Sequence, residues 1–133
     1  MPKPARKVAF NPPTLSKPLR PYFSHGVVAR GDLVFVAGQV GADKSGRVVS
    51  RDVGRQTEPT IQNIRTVLRH VGADLDDIVK VTVYVTDMGD FDAIARVRSK
   101  YFKKDCPASA IVEVAQLARP EFKIEIEAMA VVP

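Results

Sequence analysis

Ile78-Val79-Lys80-Val81-Thr82-Val83-Tyr84-Val85-Thr86 is the clearest strand in the chain, and its reading decides the fold. Val79, Val81, Val83 and Val85 alternate with Lys80, Thr82, Tyr84 and Thr86. A period of two puts four valines on one face and polar or aromatic groups on the other, as in a sheet with one covered face. Immediately upstream the period changes. Ile61, Ile64, Val67, Leu68 and Val71 recur every three or four residues, the spacing of one helical face, and Gly72 follows where a left-handed cap would end the helix. The start of this helix has two readings. Either Asp52 caps it at Val53 and Pro59 falls in the interior, or Thr57 is the cap and Pro59 sits in the first turn, where a missing N–H costs nothing. The proline predicts a loose or kinked first turn followed by regular helix to about Val71.

Downstream, Asp90 is placed to cap a second helix carrying Phe91, Ile94, Val97, Tyr101 and Phe102. Two short strands end the chain, Pro107–Ala115 and Lys123–Ala130, each with an acidic residue among apolar neighbours. In the last, Ile124, Ile126, Ala128, Ala130 and Val132 share one face, and Lys123, Glu125, Glu127, Met129 and Val131 the other. Towards the N-terminus, Gly26–Arg30 and Leu33–Val40 read as strands joined at Gly31-Asp32, a hairpin whose glycine supplies positive φ. Asp43-Lys44-Ser45-Gly46 is a turn signal leading to a short strand near Arg47–Val49.

The expected order is β-β-β-α-β-α-β-β, a mixed α/β (α+β) domain. Right-handed crossovers place both helices on the same face of one sheet. The opposite face then has no helix of its own, yet carries Met129 and Val131 beside charges; a face of that size is expected to be covered by self-association.

Composition narrows the class. A chain of 133 residues is one domain by length, large enough to bury roughly 65–70% of its unfolded surface. The net charge of +5 is uneven: no acid precedes Asp32, while Lys3, Arg6, Lys7, Lys17, Arg20 and Arg30 do. Pro2, Pro4, Pro12, Pro13, Pro18 and Pro21 lie in the same segment, so residues 1–20 are expected to be a basic, extended or disordered tail, with the folded domain at 21–133. Such a tail attracts phosphate, but no aromatic-plus-basic stacking platform accompanies it, and nucleic acid is not the expected partner. The lone Cys106 reads as a small buried hydrophobe; it cannot form an internal disulfide and has no local histidine to activate it. One thiol, no leader and no long apolar run point to a cytoplasmic protein away from membranes. Two separated histidines and one cysteine give no metal-ligand spacing. Asp74-Leu75-Asp76-Asp77 reads as capping rather than a calcium loop, and no Gly-rich phosphate loop is present, so neither metal nor cofactor is expected.

Several segments together resemble the Rid family, the reactive-intermediate deaminases of the RidA/YjgF type, also labelled L-PSP endoribonucleases. Arg20-Pro21-Tyr22-Phe23-Ser24-His25-Gly26-Val27 is similar to the family's Pro-Tyr-Ser-X-X-Val opening, and Leu33–Gln39 to its strand ending in Ser-Gly-Gln. Gln56-Thr57 and Asn63-Ile64 fall where its first helix carries similar residues. Asp76–Met88 with Asp90-Phe91 is the most family-like run, and Pro107–Ala115 with Lys123–Ala130 resembles the family's end. The resemblance spans about residues 20–131. It implies a chorismate-mutase-like fold, a homotrimeric barrel and a small-molecule pocket at each subunit interface, where 2-imino or enamine acids are hydrolysed to 2-keto acids and ammonia.

The same resemblance distributes the site. It implies catalytic roles for Tyr22 and for Glu125, the acid that handles water or leaving ammonia. It places Ala37 where the family has a serine, Ser109 where it has the carboxylate-binding arginine, and Ala95 where many members carry an asparagine. Ile111 would wall the pocket, and His25, three residues after Tyr22, is of a residue type suited to proton transfer. Losing a bidentate arginine–carboxylate contact would cost on the order of 3–5 kcal/mol. The substrate would then either lack the usual carboxylate or meet another cation. Arg119, in the loop before the last strand, is the first candidate, and Arg96 or Arg98 beside Ala95 the next; Arg119 reads equally as a solvent-exposed loop charge, and Glu125 as a salt-bridged surface acid. The expected function is hydrolysis of a small imine or enamine other than the standard 2-imino acid. A non-catalytic ligand-binding trimer and an RNA-acting protein are the alternatives.

Overall fold

The computed structural model describes residues 6–133. The first five residues of the basic tail lie outside the described residues. The elements are β1 (Arg6–Phe10), β2 (Gly26–Arg30), β3 (Asp32–Gln39), α1 (Val53–His70), β4 (Ile78–Val85), α2 (Phe91–Tyr101), β5 (Ala108–Glu113) and β6 (Ile124–Val132). The order of types matches the sequence reading, but its first three strands are differently constituted. Arg6–Phe10, within the proline-rich segment, pairs antiparallel with β2. The strand expected at Arg47–Val49 is reduced to a single Ala42–Val48 bridge. Gly31 does adopt positive φ, at 135°, but it separates two ladders instead of closing a hairpin: β2 pairs with β1, and β3 with β6.

The main sheet has strand order β3-β6-β4-β5, with β4 and β5 parallel and the other pairs antiparallel. The expected single sheet is therefore a four-stranded one plus the β1–β2 ribbon, the two meeting at a Ser24–Ala108 bridge. Both helices cover one face. Val36, Val81, Val83, Val85, Ile124, Ile126, Ala128 and Ala130 form one core with Ile61, Ile64 and Leu68 of α1 and Ile94 and Val97 of α2. In β4 the buried face begins at Ile78 rather than Val79, because the ladder with β6 shifts register between Ile78 and Lys80. A bulge moves one residue to the other face, which strict alternation cannot reveal.

Asp52 caps α1 by accepting the Arg55 N–H, and Pro59 lies inside the helix. Proline at 59 offers no N–H to the Arg55 carbonyl one turn back; on either side of it Thr57 and Thr60 donate their buried hydroxyls to the carbonyls of Val53 and Gln56, each at 2.7 Å. At its other end Gly72 takes φ of 83°, the left-handed stop expected there. Asp90 makes no side-chain cap to α2; Asp87 instead caps the preceding single turn through the Gly89 N–H. Asp74 and Asp77 form a reciprocal capping box on the turn before β4, and Arg65 and Arg69 both bind the Asp74 carboxylate.

Buried Gln56 ties the loops to α1. Its Nε2 donates to the carbonyls of Ser50 and Glu121, both at 2.8 Å, and its Oε1 accepts the Lys123 N–H at 2.9 Å.

Candidate active site

Register fixes which side chains share a face. Glu125 pairs with Tyr84, Glu127 with Thr82 and Met129 with Lys80, all on the face without helices. Phe35 lies opposite Met129 on the same face. There, Phe35, Lys80, Thr82, Glu127 and Met129 line a depression of about 200 Å3. Phe35 is 68% exposed and Leu33 54%, so the face is apolar and acidic at once. The Tyr84 hydroxyl donates to Glu127 Oε1 at 2.6 Å, and that bond raises the Tyr84 pKa above its ordinary value. Glu125 folds over Gly38: a Cβ on that glycine would stand 2.1 Å from Glu125 Oε1. The absence of a side chain at 38 is therefore what gives the carboxylate its seat. Ala37, the preceding residue, is exposed at the β3 bulge, and its carbonyl accepts from Gln39 Nε2.

A second cluster lies on the helix side of the sheet. Ser109 pairs with Val81 and Ile111 with Val83, the valines that face the core. Above Ser109 stands Arg98 of α2, only 3% exposed, donating from Nη2 to Ser109 Oγ at 2.7 Å. The ring of Tyr22, itself 2% exposed, lies 4.3 Å from the Arg98 guanidinium carbon. Burial pulls the Arg98 pKa down to about 10, so the group stays cationic at neutral pH. Ala95, one turn back, is buried, which leaves the helix surface beside Arg98 smooth. Cys106 is buried at the same end, its thiol 3.4 Å from the Pro21 carbonyl, and burial pushes its pKa up.

Arg98 joins Tyr22 and Ser109, with Ile111 two residues further along the core face of β5 and Ala95 buried one turn back on α2, while Glu125 and Ala37 lie elsewhere. Ser109 is level with Val81 and Glu125 with Tyr84, with β4 between them. Three residues along a strand and two strand spacings across it separate their backbones by about 14 Å, on opposite faces of the sheet. His25 belongs to neither cluster: its ring nitrogen meets the Ser16 carbonyl at 2.7 Å and its N–H binds Asn11, bracing the N-terminal segment. Arg119 is at the far end, donating to the Gly46 carbonyl, paired with Glu121 and stacked on Phe122. Arg96 is exposed.

Sequence reasoning ranked Arg119 above Arg98, and it did not single out Gly38, Tyr84 or Glu127. For Arg98 a signal existed: it sits four residues after Ile94 and three before Tyr101, a charge on the apolar stripe of α2. The seat at Gly38 depends on a bulged ladder that residue spacing does not encode. Among the described residues no group of His, Cys, Asp and Glu could hold a metal ion, and no helix is long and apolar enough to cross a membrane.

The family model described as Endoribonuclease L-PSP matches residues 14–132. The chain belongs to the Rid family. A crystal structure of a conserved Rid family protein, YyfB from Yersinia pestis, superposes with a TM-score of 0.87 at 32% identity, covering 95% of this chain and 98% of that one. Among curated Rid relatives, a RutC family protein of Pyrococcus abyssi is 42% identical over 115 residues, 86% of this chain and 88% of the relative. The human 2-iminobutanoate/2-iminopropanoate deaminase is 35% identical over 99 residues, 74% of this chain and 72% of the relative. Rid relatives thus include imine deaminases, and the mixed fold with two helices is theirs.

Proposed function

We propose that this Rid protein hydrolyses a small imine or enamine to a carbonyl compound and ammonia, in a pocket completed between copies of a homotrimer. The observation that carries the reading is Glu125, a carboxylate seated over Gly38 on a helix-free face that also exposes Phe35 and Leu33. An apolar face of this kind is covered when copies pack against it. Packing also gives Glu125 walls it lacks in one chain, and supplies from a neighbour the groups that lie about 14 Å away here.

In the chemistry, Glu125 accepts a proton from water as the oxygen attacks the C=N carbon, and the imine nitrogen takes up a proton from solvent. The tetrahedral carbinolamine then collapses: the C–N bond breaks, Glu125 returns its proton to the departing nitrogen, the hydroxyl proton passes back to solvent and the carbonyl forms. Water and imine become ketone and ammonia, with no other reactant. A positioned acid/base of this type contributes about 10²- to 10⁴-fold.

Freshly generated 2-iminobutanoate is the direct substrate test. Expected are ammonia and 2-oxobutanoate released above the uncatalysed rate, from protein that sediments as three chains. Intact trimers without turnover, which nonetheless take up a stable metabolite unchanged, would replace the hydrolase reading with that of a binding protein; Ala37, Ser109 and Ala95 standing where the family pattern has a serine, an arginine and an asparagine is what favours that second reading.

A further prediction concerns Gly38. Gly38→Ala places a methyl group 2.1 Å from the Glu125 carboxylate oxygen and 2.8 Å from its carbon, so the flexible acid must swing away. The expected result is turnover reduced about 10- to 100-fold, with the melting temperature within a few degrees of the parent. Unchanged turnover would mean that this seat is not the reactive position.

A further inference from the structure

Arg98 is cationic, 3% exposed and inside the core, and no carboxylate among the described residues pairs with it. It donates to the Ser109 hydroxyl and lies against Tyr22, whose ring it faces and whose side-chain hydrogen bond, with Cys106 nearby, favours the cation. Buried charges are ordinarily paired with an opposite charge, so this one is a positive centre held by neutral groups. A guanidinium carries five N–H donors, and the Ser109 bond uses one.

Ser109 is differently placed. It is half-buried on β5, one residue past the bridge from Ser24 to Ala108, and so more open than Arg98 behind it. Its oxygen accepts from Arg98, which orients the hydroxyl and leaves the hydroxyl hydrogen to donate onward. Hydrogen bonds in such a chain polarise one another, and a cation behind a hydroxyl strengthens it as a donor.

We propose that Arg98 and Ser109 together form an anion anchor for a small carboxylate ligand, Ser109 making the contact and Arg98 supplying the charge from behind it across the face of Tyr22. The arrangement moves the positive charge from the strand to the helix. It deepens the hydrolase reading and rests on it for the identity of the ligand, a 2-oxo or 2-imino acid. In this assignment Ser109 is a binding residue and Arg98 a positioning residue.

The test measures equilibrium binding of 2-oxobutanoate and of its uncharged amide to the full-length protein, without turnover. The parent is expected to prefer the anion by at least about 10-fold. Arg98→Met and Ser109→Ala are expected to reduce that preference by roughly 10- to 100-fold, and the double variant Arg98→Met/Ser109→Arg to restore it. Because methionine replaces an unpaired buried charge with an apolar chain of similar length, Arg98→Met is expected to melt at or above the parent temperature. A purely bracing arginine predicts the reverse: lower stability and an unchanged anion-to-amide ratio. Should Arg98→Met fail to fold, Ser109→Ala carries the same comparison. No measurable 2-oxobutanoate binding by the parent, or full preference retained in Ser109→Ala or in folded Arg98→Met, overturns the anchor. Anion preference without ammonia release from 2-iminobutanoate refutes the hydrolase reading and leaves the anchor standing.

Discussion

Gln56→Leu is expected to lower the stability of the fold by about 3 kcal/mol, a shift of about 10 °C in Tm for a chain of this size. Gln56 is 1% exposed, and leucine fits its volume, so the loss comes from hydrogen bonding rather than from a cavity. Three backbone groups lose their partner at once: the carbonyls of Ser50 and Glu121 and the Lys123 N–H. Each buried, unsatisfied group costs about 1–3 kcal/mol. Ser50 is only half-buried and Arg51 is exposed, so water recovers part of the loss there, which keeps the total below the full sum. The bonds also join segments far apart in sequence, the turn before α1 and the lead-in to β6, so both loops loosen together. Urea unfolding checks this. A variant within about 1 kcal/mol of the parent would show that the amide does not hold these loops.

That amide illustrates what the sequence could and could not show. The alternation in Ile78–Thr86 and Lys123–Ala130 and the three-and-four spacing of Ile61, Ile64 and Leu68 are local signals, and they locate β4, β6 and α1 directly. The helix-free face carrying Glu125 and Met129 was legible for the same reason. Pairing was not. Gly31 satisfies the backbone demand of a tight turn, yet β2 finds β1 and β3 finds β6, because partner choice depends on long-range burial rather than on the turn residue. The register shifts next to Val79 and Gly38 are likewise products of the assembled ladder. Without them, neither Ile78 in the core nor Gly38 beneath Glu125 follows from spacing.

The same reasoning explains the mixed legibility of the site. Resemblance located Tyr22, Ser109 and Glu125 by position in the chain, but only the sheet register shows that Glu125 faces away from the other two. With Ser109 where the resemblance places an arginine, the sequence offers Arg119 first and Arg96 or Arg98 next as another cation. Only the packing of helix on sheet shows which of these stands against that serine, the Arg98 guanidinium from α2. Arg119, closer to Glu125 in sequence, is engaged with Gly46, Glu121 and Phe122.

Glu125→Gln is the substitution expected to affect turnover most, lowering kcat for imine hydrolysis by about 10²- to 10⁴-fold. Glutamine keeps the shape that lies over Gly38, so folding and oligomeric state should hold, but an amide cannot take a proton from water and return it to the departing nitrogen. Glu127→Gln is the discriminating companion. Glu127 is two residues along the same strand on the same face, yet one of its oxygens already accepts the Tyr84 hydroxyl at 2.6 Å, and its register partner is Thr82 rather than Tyr84. Its loss is expected to cost less than about 10-fold, the range of one weakened hydrogen bond. The comparison therefore separates a proton-transfer role from general acidity of the face: if removing negative charge were all that mattered, the two variants would fall equally. Glu125→Gln within about threefold of the parent, or Glu127→Gln as the more damaged of the pair, would transfer the acid/base role away from the residue seated on Gly38.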